Sequence, residues 1–421
     1  MDKYMTTIGE IAEVYDGPHA TPKKIKSGPY FLSISSLNQG WLDLSKSAFL
    51  SDADFKKWTK RVTPLEGDLL FSYETRLGEA ALMPSGIKAC LGRRMGLLRP
   101  KPDKVLSDYL LYAYLSPAFQ QTIVGNTIRG ATVDRIALKD LPNFEIRIPP
   151  LDEQARAASI LKKIDKKIEI NIGINAELEA MAEALYNYWF IQFDFPNANG
   201  QPYKTSGGKM CYNQILKREI PEGWKACELG DVISFKRGIS YKSSDIQERG
   251  APFINLNSFS LSGQFKPEGT KYFNGKFKPD SQLRAGDLVV AITDVTRNAD
   301  ITGKAFVIPD IFEINPLISC DVASVSSSVF GVAYLEQLFN SRSYHQYIKH
   351  FASGTLVLHL DLNGIKWFKA PLPPKNLLED YEEHCKSLFK QRDILLKENM
   401  QLKAIRNWLL PMLMSGQVKT K

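Results

Sequence analysis

The chain has 421 residues, 44% of them hydrophobic and 24% charged, which is enough for two or three domains with separate cores. No apolar run approaches the eighteen or more residues of a membrane span and the opening MDKYMTTIGE does not read as a signal peptide, so a cytoplasmic location is expected. Cys90, Cys211, Cys227, Cys320 and Cys385 form no CxxC pair, which argues against a zinc site or a disulfide frame, and the net charge of +8 permits an anionic partner without requiring one.

Short apolar runs bounded by Gly, Pro and Asn come first. Tyr30–Ile34 and Asp68–Ser72 suit strands, and Gly67-Asp68 suits a tight turn feeding the second. Residues 108–123 have helical spacing and lead to a turn at Gly130. Pro149-Pro150 then precedes LDEQARAASILKKIDKKIEINIGINAELEAMAEALYNYWF (Leu151–Phe190), which lacks proline. Along it Ala157, Leu161, Ile164, Ile168, Asn171, Asn175, Leu178, Ala182, Leu185 and Trp189 alternate spacings of four and three. Lys162, Lys163, Lys166, Lys167, Glu169 and Glu179 lie off this heptad seam. A helix of about 40 residues is about 60 Å long, and its stripe needs a partner.

Residues 193–210, FDFPNANGQPYKTSGGKM, are rich in Pro, Gly, Asn and Ser and read as a linker. Strands are expected again at Phe253–Leu256 and Asp287–Ile292, a turn at Gly286-Asp287, a helical stretch over 332–349 and a turn at Gly354. Leu377–Met414 supplies the partner helix, with Tyr381, Cys385, Leu388, Arg392, Leu395, Asn399, Leu402, Arg406 and Leu409 on the same spacing. Asn171, Asn175 and Asn399 suit a register-setting coiled coil; two long core helices of an ordinary domain are the alternative.

The chain repeats itself. IGEIAEVYDG (Ile8–Gly17) returns as LGDVISFKRG (Leu229–Gly238), GPYFLSISSLNQG as GAPFINLNSFSLSG, LEGDLLFS as RAGDLVVA, and RGATVDRIALKDL as SGTLVLHLDLNGI. Order and spacing are kept, which is a signature of duplication. Each repeat is a mixed globular unit followed by a long helix.

Catalytic constellations do not emerge. Gly269–Lys276 is one residue too long for a phosphate loop and is followed by Phe277 rather than a hydroxyl. No Gly-rich strand-to-helix turn marks a methyl-donor site, and Ile148-Pro-Pro-Leu151 lacks the polar and aromatic residues of an amino-methyltransferase loop. Pro309-Asp310…Glu313-Ile-Asn315 puts Asn where a metal-dependent nuclease needs Lys. The histidines form no metal pair. The chain therefore reads as non-catalytic.

A doubled unit on a two-helix arm suggests two readers of a duplex, with Arg, Lys, Asn and hydroxyl side chains on loops. Candidates in the first repeat are Lys23, Lys24, Lys26, Ser35, Ser36, Asn38, Tyr73, Arg76, Arg93, Arg94, Arg129 and Thr132. Those in the second are Lys236, Arg237, Tyr241, Lys242, Asn255, Asn257, Thr293, Thr296, Arg297, Ser353, Thr355 and His359. The loops Tyr73–Arg76 and Thr293–Arg297 and the turns at Gly130 and Gly354 are the strongest. The loops differ most between repeats, so two different half-sites are expected. No metal site is expected.

Four stretches carry a family resemblance: IPPLDEQARAASILKKIDKKIEIN (Ile148–Asn171), LEAMAEALYNYWFIQFDFP (Leu178–Pro196), PYKTSGGKM (Pro202–Met210) and REIPEGW (Arg218–Trp224). With them the chain resembles the specificity subunit of type I restriction–modification systems over essentially its full length. The second helix departs, with PPKNLLEDYEEH in place of the PLDEQ-type entry, which bears on how symmetrically it docks. The resemblance implies an α+β fold: two tandem mixed α/β target-recognition domains related by internal duplication, separated by two long helices pairing as an antiparallel coiled coil. The first domain would be 1–150 and the central helix 151–195. Linker and second domain would be 196–374, and the C-terminal helix 375–421. The seam would run through Leu161, Ile164, Ile168, Leu178, Leu185, Leu388, Leu395, Leu402 and Leu409. The resemblance further implies a bipartite, asymmetric double-stranded DNA target. Two methyltransferase subunits, carrying S-adenosylmethionine, and restriction subunits using ATP and Mg²⁺ would dock on the helices. This chain would hold no cofactor. The alternative is a duplicated protein-binding adaptor on a coiled-coil arm without DNA contact.

Overall fold

The computed structural model describes residues 3–18, 22–130 and 133–418. The chain forms two compact units: unit 1 is Met1–Glu169 with Met400–Lys421, and unit 2 is Ile170–Asn399.

Unit 1 is organised by a four-stranded sheet of β1 (Ala12–Asp16), β2 (Leu69–Ser72), β3 (Ala80–Leu82) and β4 (Met95–Pro100), in the order β1-β4-β2-β3. All three pairings are antiparallel. Its inner strand β2 is buried along its whole length because both faces are covered. Leu69 and Phe71 pack in the cluster with Tyr109 and Tyr114, while Leu70 packs with Leu32, Leu37 and Leu97. A Cβ at Gly96 would meet the Phe71 ring at 2.3 Å, so only glycine fits opposite that ring.

Unit 2 has β5 (Ile233–Arg237), β6 (Leu288–Ala291), β7 (Ala305–Val307) and β8 (Val322–Ser327), in the order β5-β8-β6-β7, again all antiparallel. The Gly-Asp turns feed the second strand in both sheets. Gly67 sits at φ +82° and Gly286 at φ +90°, a region that glycine enters without a Cβ penalty. The following carboxylate then closes the loop. Asp68 accepts the Leu65 N–H at 2.8 Å and Asp287 accepts the Arg284 N–H at 2.7 Å. Asp68 also takes both Nε (3.0 Å) and Nη2 (2.7 Å) of Arg99.

In each unit a short helix packs beside the sheet: α1 (Ser107–Leu115) in unit 1 and α3 (Val332–Asn340) in unit 2. The long helices are α2 (Leu151–Tyr186) and α4 (Lys375–Ser415). Helix α2 closes in a π turn, Asn187–Ile191, which carries Trp189 and Phe190 into the unit 2 core. There Phe190 meets Tyr334 and Tyr381 edge-on, each at 4.9 Å between ring centroids, the geometry aromatic quadrupoles favour.

Along the expected seam Leu161, Ile168 and Leu395 are buried, and Ile164, Leu178, Leu185, Leu388, Leu402 and Leu409 are half-buried. Polar seam positions find partners inside each unit. In unit 1 Arg406 Nη1 donates to Asp165 at 3.0 Å, and the Tyr112 hydroxyl donates to the same carboxylate at 2.8 Å. In unit 2 Asn171 Nδ2 donates to Asn399 Oδ1 at 3.0 Å and to Glu398 at 2.6 Å. Arg392 lies 3.6 Å from Glu336 of α3 and 3.2 Å from Asp393.

The long helices also cap the short ones. The buried Gln154 of α2 accepts the Leu106 N–H at 2.9 Å and donates to the carbonyls of Lys104 (2.9 Å) and Pro149 (2.8 Å). In unit 2 Glu382 of α4 accepts the N–H groups of Ala333 (3.1 Å) and Tyr334 (2.9 Å). Neither short helix has a capping side chain of its own, so a neighbour satisfies these otherwise orphaned donors. Glu382 lies so close to Gly331 that a Cβ there would sit 2.0 Å from its Cδ.

The expected linker is a packed segment. Phe193 and Phe195 are buried in the unit 2 core, and Phe195 stacks between Tyr203 (4.7 Å) and Trp224 (5.3 Å). Asp194 accepts the backbone N–H of Thr205 at 2.8 Å and its hydroxyl at 2.7 Å. Its Pro, Gly and Asn residues make turns, and its aromatic residues anchor those turns.

Candidate nucleic-acid interface

The loops singled out in the sequence meet at one end of each sheet. In unit 1 the Tyr73 N–H donates to the Arg94 carbonyl at 3.2 Å, and the Ile136 N–H donates to the Tyr73 carbonyl at 2.9 Å. This joins the loop after β2, the turn before β4 and the strand Arg135–Ile136. In unit 2 the Ile292 N–H donates to the Asp321 carbonyl at 2.9 Å, and the Leu360 N–H donates to the Ile292 carbonyl at 2.9 Å. The same three pieces meet through the same backbone bonds.

These bonds align positions one to one. Glu74, Arg94 and Arg135 of unit 1 correspond to Thr293, Asp321 and His359 of unit 2. Glu74 bridges across to Arg135, as Thr293 pairs with His359. In unit 1 Arg94 Nε lies 2.8 Å from Glu74. In unit 2 the Thr293 hydroxyl donates to Asp321 Oδ1 at 2.9 Å. Charge at the turn before the last strand is therefore reversed between the units.

The turns at Gly130 and Gly354 tighten the returning hairpins. A Cβ at Gly130 would come within 2.3 Å of the Val133 carbonyl oxygen, and one at Gly354 within 2.0 Å of that of Val357. Thr75 (φ +71°) and Arg94 (φ +70°) both hold left-handed backbone in the unit 1 cluster. Each such residue costs about 1–3 kcal/mol and persists only where its surroundings fix it; these outliers tend to gather at functional sites.

Of the expected contact residues, Lys23, Lys24, Lys26, Ser35, Asn38, Arg93 and Arg129 are exposed in unit 1. In unit 2 the exposed ones are Lys236, Arg237, Lys242, Asn257, Arg297, Ser353, Thr355 and His359, with Tyr241 and Thr296 half-buried. Thr132 lies outside the described residues. Lys236 is engaged by Asp280.

Other candidates are corrected by their packing. Tyr73 is buried, and burial, with Glu74 beside it, pushes its phenol pKa up. Ser36 is fully buried and hydrogen-bonds Ser47 at 2.9 Å. Asn255 is buried, and its amide nitrogen donates to the carbonyls of Phe253 (3.2 Å) and Gly269 (2.9 Å). Thr293 is buried on Asp321. Arg76 is tied back by the Ile34 carbonyl (3.1 Å) and Glu79 (3.2 Å). These side chains shape the loops, because polar groups that enter a fold must find partners there. Arg94 is likewise half-buried and paired.

Two residues not singled out organise the unit 2 cluster. Asp321 is one; the fully buried Asp294 is the other, accepting the N–H groups of Thr296 (2.6 Å), Ile301 (2.7 Å) and Thr302 (2.9 Å). The Asp-x-Thr of Asp294–Thr296 carried a turn signal of this kind; nothing local marked Asp321.

Among the described residues no group of acidic, His and Cys side chains could hold a metal ion, and no helix is long and apolar enough to cross a membrane.

The geometry defines a mixed α/β scaffold that carries loop clusters with exposed basic and amide side chains. Residues 2–180 match the family described as the type I restriction modification DNA specificity domain. The MjaIX specificity subunit of Methanocaldococcus jannaschii is 24% identical over 421 residues, covering 99% of this chain and 90% of that protein. The HindI specificity subunit of Haemophilus influenzae is 22% identical over 371 residues, covering 76% and 80%. The crystal structure of an S subunit from M. genitalium superposes with a TM-score of 0.56 at 16% identity, covering 98% of this chain and 97% of that one, a likeness of fold. Residues 2–180 thus carry that family's domain, and the whole chain is similar to type I restriction–modification specificity subunits.

Proposed function

We propose that this chain is the DNA-specificity subunit of a type I restriction–modification complex, non-catalytic itself, reading a bipartite asymmetric target. The observation that carries this reading is the repeated loop cluster: one scaffold, twice, with the same backbone bonds and different side chains at the aligned positions. Unit 1 reads one half-site and unit 2 the other. The two domains are an internal duplication, and α2 and α4 pair as an antiparallel coiled coil that sets the gap. Buried Asn171 and Asn399 support that pairing, since polar seam residues fix register. The helices dock two methyltransferase subunits, which carry S-adenosylmethionine; restriction subunits supply ATP- and Mg²⁺-dependent cleavage. The chain works in the cytoplasm.

Methylation-sensitive sequencing of DNA from cells carrying this chain and its partner subunits tests the reading. Two dissimilar half-sites with a fixed gap are expected; a single contiguous motif, or no methylation, overturns it. A protein-binding adaptor would use the exposed Val295 and Leu356. Salt decides between the two, because phosphate contacts release counterions and weaken steeply as salt rises.

A further inference from the structure

The reversed charge in the unit 2 cluster identifies a base. Asp321 stands at the turn before β8, where unit 1 has Arg94. Among the described residues no cation forms an ion pair with it. Its Oδ1 accepts the Thr293 hydroxyl at 2.9 Å, and Oδ2 has only a 3.5 Å approach from Ser319. The carboxylate is half-buried, and its loop neighbour Cys320 is exposed. His359, cross-strand from Thr293, is exposed, and Tyr241 is near enough for Asp321 to help raise its phenol pKa, after the larger effect of burial.

A carboxylate without a cation, joined through Thr293 to a strand pair that exposes His359, repels phosphate and can only accept hydrogen bonds. In the major groove the donors are the amino groups of cytosine (N4) and adenine (N6), and adenine sets the N7 acceptor beside its amine. A carboxylate is repelled by that acceptor and pairs with cytosine N4.

We infer that Asp321 selects a cytosine in the half-site read by unit 2, with Thr293 as the positioning residue that leaves Oδ2 free to accept. This rests on the DNA-reading function proposed above and adds the base and the residue that recognises it. In unit 1 the equivalent Arg94 is held by Glu74 and cannot make this selection.

The test uses the assembled complex, isolated from its host through a tag on this chain, and selection from a randomised duplex library followed by sequencing. The wild type is expected to enrich cytosine at one position of one half-site. D321N keeps the acceptor for Thr293 and gains an amide, so preference there should move to adenine, which an amide pairs through N6 and N7. The loss for cytosine should be about 5- to 150-fold, the range of one base contact, with every other position unchanged. Unchanged preference in D321N, or an even loss across the whole half-site, overturns the assignment and leaves the two-reader function standing. No sequence preference in the wild type overturns both. Should D321N fail to assemble, Thr293→Val tests the same claim: cytosine discrimination should fall several-fold at that one position, and unaltered discrimination would refute it.

Discussion

Units 1 and 2 solve one packing problem with different chemistry. Each must fix a short helix to a long one, and each does so by lending a side chain to the short helix's unsatisfied N–H groups. In unit 1 the lender is an amide, Gln154, which also donates to two carbonyls. In unit 2 it is a carboxylate, Glu382, placed where the helix dipole favours negative charge. The amide is neutral and indifferent to pH. The carboxylate carries burial strain, and its pKa is raised by desolvation against the two N–H bonds that hold it down. The capping side chain also sits one turn further along the second helix, the eighth residue after Pro374 where Gln154 is the fourth after Pro150, so the second helix departs from the LDEQ wording and still caps its short helix.

Buried charge separates the units further. Arg392→Met would leave Glu336, itself nearly inaccessible at 7% side-chain exposure, without its cation. Urea unfolding should show a loss of about 3–5 kcal/mol. Arg406→Met strands the more accessible Asp165, which keeps its Tyr112 bond, so a smaller loss is expected. Equal losses would remove the distinction. Next in size, Glu382→Ala and Gln154→Ala should each cost about 1–3 kcal/mol by orphaning buried backbone groups. Of these two side chains only Glu382 ionises, and because its folded pKa is raised its contribution should fall as pH rises; a flat difference between pH 5 and pH 8 for Glu382→Gln would contradict this.

Glu179 sharpens the contrast. Burial, with Glu336 adding repulsion and Arg392 opposing it, raises its pKa from 4.5 to about 7. The folded state therefore binds this proton more tightly than the unfolded one, and stability falls as pH rises from about 4.5 through about 7. Glu179→Gln should raise Tm by a few degrees at pH 8 and change little at pH 4, as scanning calorimetry would show. A larger gain at pH 4 would reverse the assignment. The smallest effect belongs to the surface. Arg129→Ala should weaken DNA binding across sequences and reduce the salt slope by about 1; a change of sequence preference would make Arg129 a base reader.

Much of this was legible in the sequence because it is periodic. The four-three spacing of Leu161, Ile168 and Leu395 is a local property, and so is the Gly-Asp turn. Composition misled at 193–210, where Pro, Gly and Asn suggested a linker while Phe193, Phe195 and Tyr203 tie the segment to the core. Tyr73, Asn255 and Thr293 have the look of loop residues, but which loop side chains turn inward is decided by strands distant in the chain. Glu179 sat off the seam among solvated charges, yet faces Arg392 and Glu336. Asp321 acquires its meaning from alignment with Arg94, which only the backbone bonds reveal.

The Glu382–Gly331 fit sets rules for chimeras. A head transplanted from another chain and joined at Pro374 would arrive without the side chain its helix was shaped to receive, and a foreign residue in place of Gly331 would collide with the resident Glu382. Grafts of unit 2 should therefore be cut two turns into the rod, beyond Glu382, and the exchanged piece should include both halves of that contact.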